Sequence, residues 1–197
     1  MPSLTAPTDL TLELDPYRGP EDDPSPREKG WVASVALVLR PAPGCPELLL
    51  IKRARLAGDP WSGHMALPGG RKDPKDLSLL HTARRETREE VALPLDREGR
   101  ALGRLDVVAP ISPHLPPLTI LPLVFSVSRE VEARVASAEV AEIHWTPLDH
   151  LRSPEARTTH RYLQGEAALR FPAFEVNGRT VWGLTHRILE DFLGRVR

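Results

Sequence analysis

An α/β sandwich with a mixed central sheet is the fold class that this sequence predicts, on three observations. Apolar runs of strand length recur along the chain, and two amphipathic segments of helical period lie among them. The 197 residues, 41% of them hydrophobic, suffice to bury one core. No internal repeat divides the chain, so one domain is expected, with strand order left open by periodicity alone.

Taken in order, residues 1–28 contain Glu21-Asp22-Asp23-Pro24-Ser25-Pro26-Arg27-Glu28, a polar, proline-punctuated stretch with little surface to bury. It reads as an arm, draped over the domain or disordered, ahead of a folded unit at 29–197. The apolar runs 31–39 and 48–51, separated by Pro41-Ala42-Pro43-Gly44, predict two buried strands paired as a hairpin-like unit. Residues 56–63 read as a loop, Met65-Ala66-Leu67 as a short strand, and Pro68-Gly69-Gly70 as a sharp break leading to Asp76, which is placed to cap a helix. That helix, 77–91, carries Leu80, Ala83, Thr87 and Val91 on one stripe suited to packing on a sheet. Strands are predicted at 102–108, 119–127 and 141–145, and a closing amphipathic helix at 184–196.

Composition excludes several functions. Lys and Arg number 26 against 27 Asp and Glu, a net charge of −1 with no basic block, so no nucleic-acid partner is expected. No apolar run approaches the roughly 20 residues that span a bilayer, and residues 1–30 lack the apolar region of a signal peptide, so no membrane partner and a cytoplasmic location are expected. The lone Cys45, between Pro43 and Pro46, can form neither an internal disulfide nor a multi-cysteine metal site.

The chemistry concentrates in Arg85-Glu86-Thr87-Arg88-Glu89-Glu90. Helical spacing of three and four puts Glu86, Glu89 and Glu90 on adjacent turns of one face, where like charges repel unless a cation offsets them. Oxygen-only ligands favour hard ions such as Mg²⁺ or Mn²⁺. The competing reading is a solvated charged face already balanced by Arg85 and Arg88. Gly69-Gly70 weighs towards a site, because a tight glycine turn brings backbone carbonyls within reach of an ion over the helix.

These residues resemble the Nudix family, whose box reads G-x5-E-x7-R-E-U-x-E-E-x-G-U with U aliphatic. Here Gly70 is followed by five residues, Asp76, eight residues and then the intact R-E-x-x-E-E core at Arg85 to Glu90. Asp76 stands for the first Glu with one residue inserted, Thr87 for the aliphatic residue, and Ala92 for the glycine after the acids. The resemblance implies a Nudix-type α/β/α sandwich and a metal-dependent pyrophosphohydrolase. Glu86 and Glu90 would be the principal Mg²⁺ or Mn²⁺ ligands, Glu89 a further ligand or base, and the Gly69 carbonyl would complete the shell, with Arg85 in the catalytic set. In this family the general base often lies outside the box, and Glu139 and Glu142, at the edge of a late strand, stand open as either that base or partners in salt bridges.

A finer similarity, to the coenzyme A pyrophosphatase branch, lies in residues 49–55, in residues 62–74 and in Trp182-Gly183-Leu184-Thr185. Where that branch carries Leu-Arg-x-His-x-Gly-Gln, this chain has Gly58-Asp59-Pro60-Trp61-Ser62-Gly63-His64. The similarity implies cleavage of coenzyme A or an acyl-coenzyme A to 3',5'-ADP and (acyl-)4'-phosphopantetheine. Arg53, His64 and Arg71, with Arg55 and Lys72, are then candidate contacts for an anionic substrate. Trp61 stands as an adenine contact or a loop anchor, and the proline-rich residues 110–122, with His114, as a loop over the substrate or a connector. Another small nucleoside diphosphate derivative, such as ADP-ribose, NADH or a dinucleotide polyphosphate, stays open as substrate, as does a non-hydrolytic binding module. A homodimer is open by analogy with the family.

Overall fold

The computed structural model describes residues 10–26, 30–111, 117–164 and 167–197. Trp31–Arg40 forms β1, and its residues alternate between two cores: Ala36 and Val38 face one side, Leu37 and Leu39 the other, all four fully buried. A strand covered on both faces needs such an uninterrupted apolar run. Leu118–Val127 (β6) runs parallel to β1 at the sheet centre, and Gly99–Arg104 (β5) flanks β6.

Glu47–Arg53 (β2) pairs with β1 only at Leu39↔Leu48 and Arg40↔Glu47, so the predicted hairpin exists at one end only. The two strands then splay, and residues 65–71 fill the gap. Met65–Ala66 (β3) pairs with β2, Gly69–Arg71 (β4) pairs with β1, and the Ala36 amide donates to the Pro68 carbonyl at 2.8 Å. Val140–Pro147 (β7) lies on the far edge of β2.

Leu79–Val91 (α1) covers one face, burying Leu79, Ala83, Thr87, Glu90 and Val91. Its cap is Ser78, whose hydroxyl accepts from the His81 amide at 3.2 Å, and not Asp76 as the sequence suggested. Asp76 is drawn away by stronger partners: it accepts from the Asp73 amide, the Thr82 hydroxyl and Arg85. Thr87 fits the aliphatic position because its hydroxyl donates to the Ala83 carbonyl at 2.7 Å and leaves the methyl to the core. Ala92 ends α1 in the left-handed conformation at φ 55, which glycine adopts without steric cost.

Gly183–Gly194 (α3) covers the other face through Ile188, Leu189 and Phe192. Between β7 and α3 lie a short helix, Leu148–Arg152 (α2), and a second antiparallel sheet that the apolar pattern did not predict. It consists of Arg157–Gln164 (β8), Ala167–Val176 (β9) and Arg179–Trp182 (β10), the last two joined by Asn177-Gly178 with φ 51 and 74. The described part of the arm, residues 10–26, is draped over the domain: Leu12 bridges Val196, Asp15 bridges Arg104, and Asp23 accepts from the Leu79 amide at 3.0 Å. Residues 1–9, 27–28 and His114 lie outside the described residues. Among the described residues no helix is long and apolar enough to cross a membrane.

Candidate metal and phosphate site

The second half of α1 meets the glycine turn that opens β4. Gly69 has φ 151, and a β-carbon there would sit 2.3 Å from the Ser34 carbonyl oxygen, so the turn presses directly on β1. The Gly69 amide donates to Glu90 Oε2 at 2.9 Å. A β-carbon on Gly70 would sit 2.5 Å from the Glu86 carboxyl group, which therefore occupies the space that glycine leaves free.

Both carboxyls are held above their ordinary range. Burial is the main cause at Glu90, which is 4% exposed and is pushed up to about 8 against the opposing pull of the Gly69 amide, with the charges of Glu86 and Glu139 adding to the rise. Burial also raises Glu86, with Arg85 acting against it and Glu89 and Glu139 with it. Two desolvated carboxylates one helical turn apart, beside a glycine turn, form an oxygen donor set that fits a hard divalent cation. Glu89 is half-exposed, and Arg85 Nη1 sits between it at 3.1 Å and Glu86 at 2.8 Å. Among the described residues no three His, Cys, Asp or Glu side chains are gathered into one group, and Glu86 and Glu90 are the two acids that meet the glycine turn.

Arg85 organises the rim. It donates to Asp76 at 2.9 Å, to Glu89 and to the Arg71 carbonyl at 3.1 Å each, and pairs with Glu86 at 2.8 Å. The inserted residue thus does not prevent the shorter Asp76 from reaching Arg85. Burial works to raise Asp76, but its hydrogen bonds from Arg85, the Asp73 amide and Thr82 win and bring it down to about 2. A carboxyl depressed below its unfolded value of 3.8 contributes stability that is complete above that value and lost as pH falls towards 2. We expect Asp76 to contribute about 1–2 kcal/mol, discounted because its partner Arg85 is partly open to solvent. Urea unfolding of wild type and Asp76→Asn at pH 6 and pH 3 should show the gap between them narrowing at the lower pH; a constant gap would refute the pairing as its source.

The remaining predicted site residues are distributed around this centre. Arg53 is committed to Asp59 through two hydrogen bonds of 3.1 and 2.8 Å, yet its charge is still felt at Glu90. Arg71 lies over the Trp31 ring, 3.4 Å from its centroid, and Lys72 pairs with Asp23 of the arm. His64 is half-buried, 5.0 Å from the Trp182 ring. Trp61 packs partly buried against the core, as a loop anchor does.

Glu142, one of the two candidate bases, lies between the cations Lys52 at 2.7 Å and Arg179 at 3.0 Å, with His144 Nε2 at 3.0 Å. Arg179, then Lys52, hold its carboxyl down to about 2, and these pairs tie β7 to β2 and β10. Glu139 differs, since its charge acts on both Glu86 and Glu90. Asp59, as the partner of Arg53, was missed in the sequence, because a contact across a loop of this kind leaves no periodic trace.

Residues 30–164 match the NUDIX domain family model. A fission yeast (Schizosaccharomyces pombe) uncharacterized protein, C14C4.10c, is 39% identical over 121 residues, which cover 60% of this chain and 37% of that protein. The human mitochondrial coenzyme A diphosphatase NUDT8 is 35% identical over 162 residues, covering 80% of this chain and 66% of that protein. The match therefore spans less than two thirds of either relative. Among solved structures, an Ap4A hydrolase from C. elegans superposes with a TM-score of 0.51 over 60% of this chain and 81% of that one, at 19% identity, a likeness of fold.

Proposed function

The chain belongs to the NUDIX domain family, and from that premise we propose that it is a metal-dependent pyrophosphohydrolase acting on coenzyme A or an acyl-coenzyme A. The observation that carries the hydrolase reading is the pair Glu86 and Glu90, desolvated beside the Gly69-Gly70 turn. Burying two like charges is costly, and a divalent ion is the counter-charge that makes the arrangement favourable.

In this reading Glu86, Glu90 and the Gly69 carbonyl hold Mg²⁺ or Mn²⁺. When bound, the ion neutralises charge on the diphosphate and lowers the pKa of an attacking water. Arg85 keeps Glu86 in place and ties α1 to the β4 backbone at Arg71. Arg53, held by Asp59, supplies positive charge close to the acids. Water adds to one phosphorus, the anhydride bridge breaks, and coenzyme A yields 3',5'-ADP and 4'-phosphopantetheine with release of a proton.

Glu139 is our assignment for the group that accepts this proton, because its charge acts on both acids of the centre while Glu142 is occupied by cations. Glu139→Gln should lower kcat about 10²–10⁴-fold, and Glu142→Gln far less. The reverse order in steady-state kinetics would return the role to Glu142.

The coenzyme A assignment draws support from the human relative's name and from the residues shared with that branch. Its test is incubation with Mn²⁺ or Mg²⁺ and coenzyme A, acyl-coenzyme A, ADP-ribose, NADH and diadenosine polyphosphates in parallel, with products identified by mass. Preferential release of 3',5'-ADP supports it; preference for another substrate keeps the chemistry and replaces the substrate. No turnover across the panel, with nucleotide binding retained, would make the chain a binding module. We propose a cytoplasmic location and a homodimer as well; the human relative is named as mitochondrial.

A further inference from the structure

The small sheet presents an aromatic face that the chemistry of the acidic centre does not use. Cross-strand register puts its members on one side: Tyr162 opposite Leu169, His160 opposite Phe171, and Trp182 opposite Ala173 beside Thr158. Trp182 is the hub. The His160 ring stacks on it at 4.1 Å and 19°, while Tyr162, Phe171 and His64 approach within 5.6, 5.8 and 5.0 Å. Side chains gathered this closely would ordinarily form a core, yet Tyr162 is 44% exposed, Leu169 41% and Phe171 37%.

This face runs into the acidic centre. His64 immediately precedes β3, which leads through Pro68 to Gly69, and the His64 carbonyl accepts from the Arg53 amide at 2.9 Å. The Arg53 charge acts on both His64 and Glu90. Six residues of chain, His64 to Gly69, link the rings to the glycine turn, a span of at most about 22 Å.

We propose that this face stacks the nucleobase of the substrate, which gives His160, Tyr162, Phe171 and Trp182 a role in specificity. The inference rests on the nucleoside diphosphate reading above. Rings, unlike aliphatic side chains, offer a planar group a matching face, and they accept any base. Burial holds both imidazoles below their ordinary value, and an uncharged imidazole has one donor and one acceptor to offer a base edge. A second copy of the chain fits the face less well. Side chains of roughly 150–250 Å², about two fifths exposed, leave a few hundred Å², against roughly 800 Å² per partner in a stable interface.

The test titrates adenosine 3',5'-bisphosphate and 4'-phosphopantetheine separately into the full-length wild type, Tyr162→Ser, Phe171→Ser and Tyr162→Phe, by calorimetry. Each serine variant should lose roughly 5- to 150-fold in affinity for the nucleotide, Tyr162→Phe should retain it, and 4'-phosphopantetheine should bind all four alike. Three results would overturn the inference: unchanged nucleotide affinity, absence of nucleotide binding by the wild type, or a loss confined to 4'-phosphopantetheine. A change of sedimenting mass without loss of nucleotide affinity would also overturn it and assign the face to a second copy. Wild-type hydrolysis, assayed in the same preparations, separates the two levels. Ring-dependent nucleotide binding without turnover sinks the hydrolase reading alone, and turnover with ring-independent binding sinks the stacking face alone.

Discussion

Glu90→Gln is expected to abolish turnover and, in the same molecule, to raise stability. The two effects have one cause. Glu90 is a carboxyl with a folded pKa of about 8, raised chiefly by burial. A raised carboxyl pKa means that the folded state binds the proton more tightly, so stability falls as pH climbs from the unfolded value of 4.5 towards 8. At pH 7 the ion-free protein therefore carries an unfavourable contribution on the order of 3 kcal/mol, which glutamine removes while its carbonyl keeps the hydrogen bond from the Gly69 amide. The expected result is a melting temperature several degrees higher at pH 8, shrinking to nothing near pH 4. Activity should fall on the order of 10³-fold, because a charged ligand worth several kcal/mol in the transition state is lost. Glu86→Gln should lose as much activity. Mn²⁺ should raise the melting temperature of the wild type by mass action and leave both variants nearly unmoved. Full activity in both variants would remove the metal site from this account.

The second large effect separates two adjacent glycines. At Gly69 a new β-carbon would lie 2.3 Å from the Ser34 oxygen and 2.6 Å from the Val35 α-carbon, both backbone atoms of β1, which is locked in register with β6. Neither can give way, and φ 151 is strained for any other residue. Gly69→Ala should cost more than about 4 kcal/mol, a large share of a typical domain's stability. At Gly70 the obstacle is the end of the Glu86 side chain, which can swing aside. Gly70→Ala should therefore fold with its melting temperature nearly unchanged and lose about 10²-fold in kcat through a misplaced Glu86. Two variants that melt alike would contradict the geometry of the turn.

The parts legible in the sequence are those where one physical requirement dominates. β1, β2 and β6 are visible as apolar runs, since a strand buried on both faces has no room for polar side chains, while β7 shows only a short run that includes Glu142 and His144. α1 was visible through its stripe and its acids. Helical spacing, however, could not tell that Glu89 turns to Arg85 while Glu90 turns inward, because that choice depends on the Gly69 amide supplied by another element. The small sheet escaped because Arg157, Thr159, Arg161 and Arg170 break its apolar pattern. Its one local signal was Asn177-Gly178, the pair that a tight hairpin turn favours. Ser78 caps α1 in place of Asp76, which Arg85 holds across nine residues, a contact beyond the reach of local capping rules.

The splayed strands β1 and β2 have a consequence for how defects in this protein are to be read. The gap between them is closed by residues 65–71, the same backbone that carries Gly69 and Gly70 to the acids of α1. Completing the sheet and assembling the turn are thus one cooperative event, and the turn cannot melt on its own without reopening the sheet. A variant with native circular dichroism and a native melting curve carries an intact turn. Its loss of activity then reports on side-chain chemistry alone, so spectroscopy of the backbone serves as a control for every substitution made in the centre.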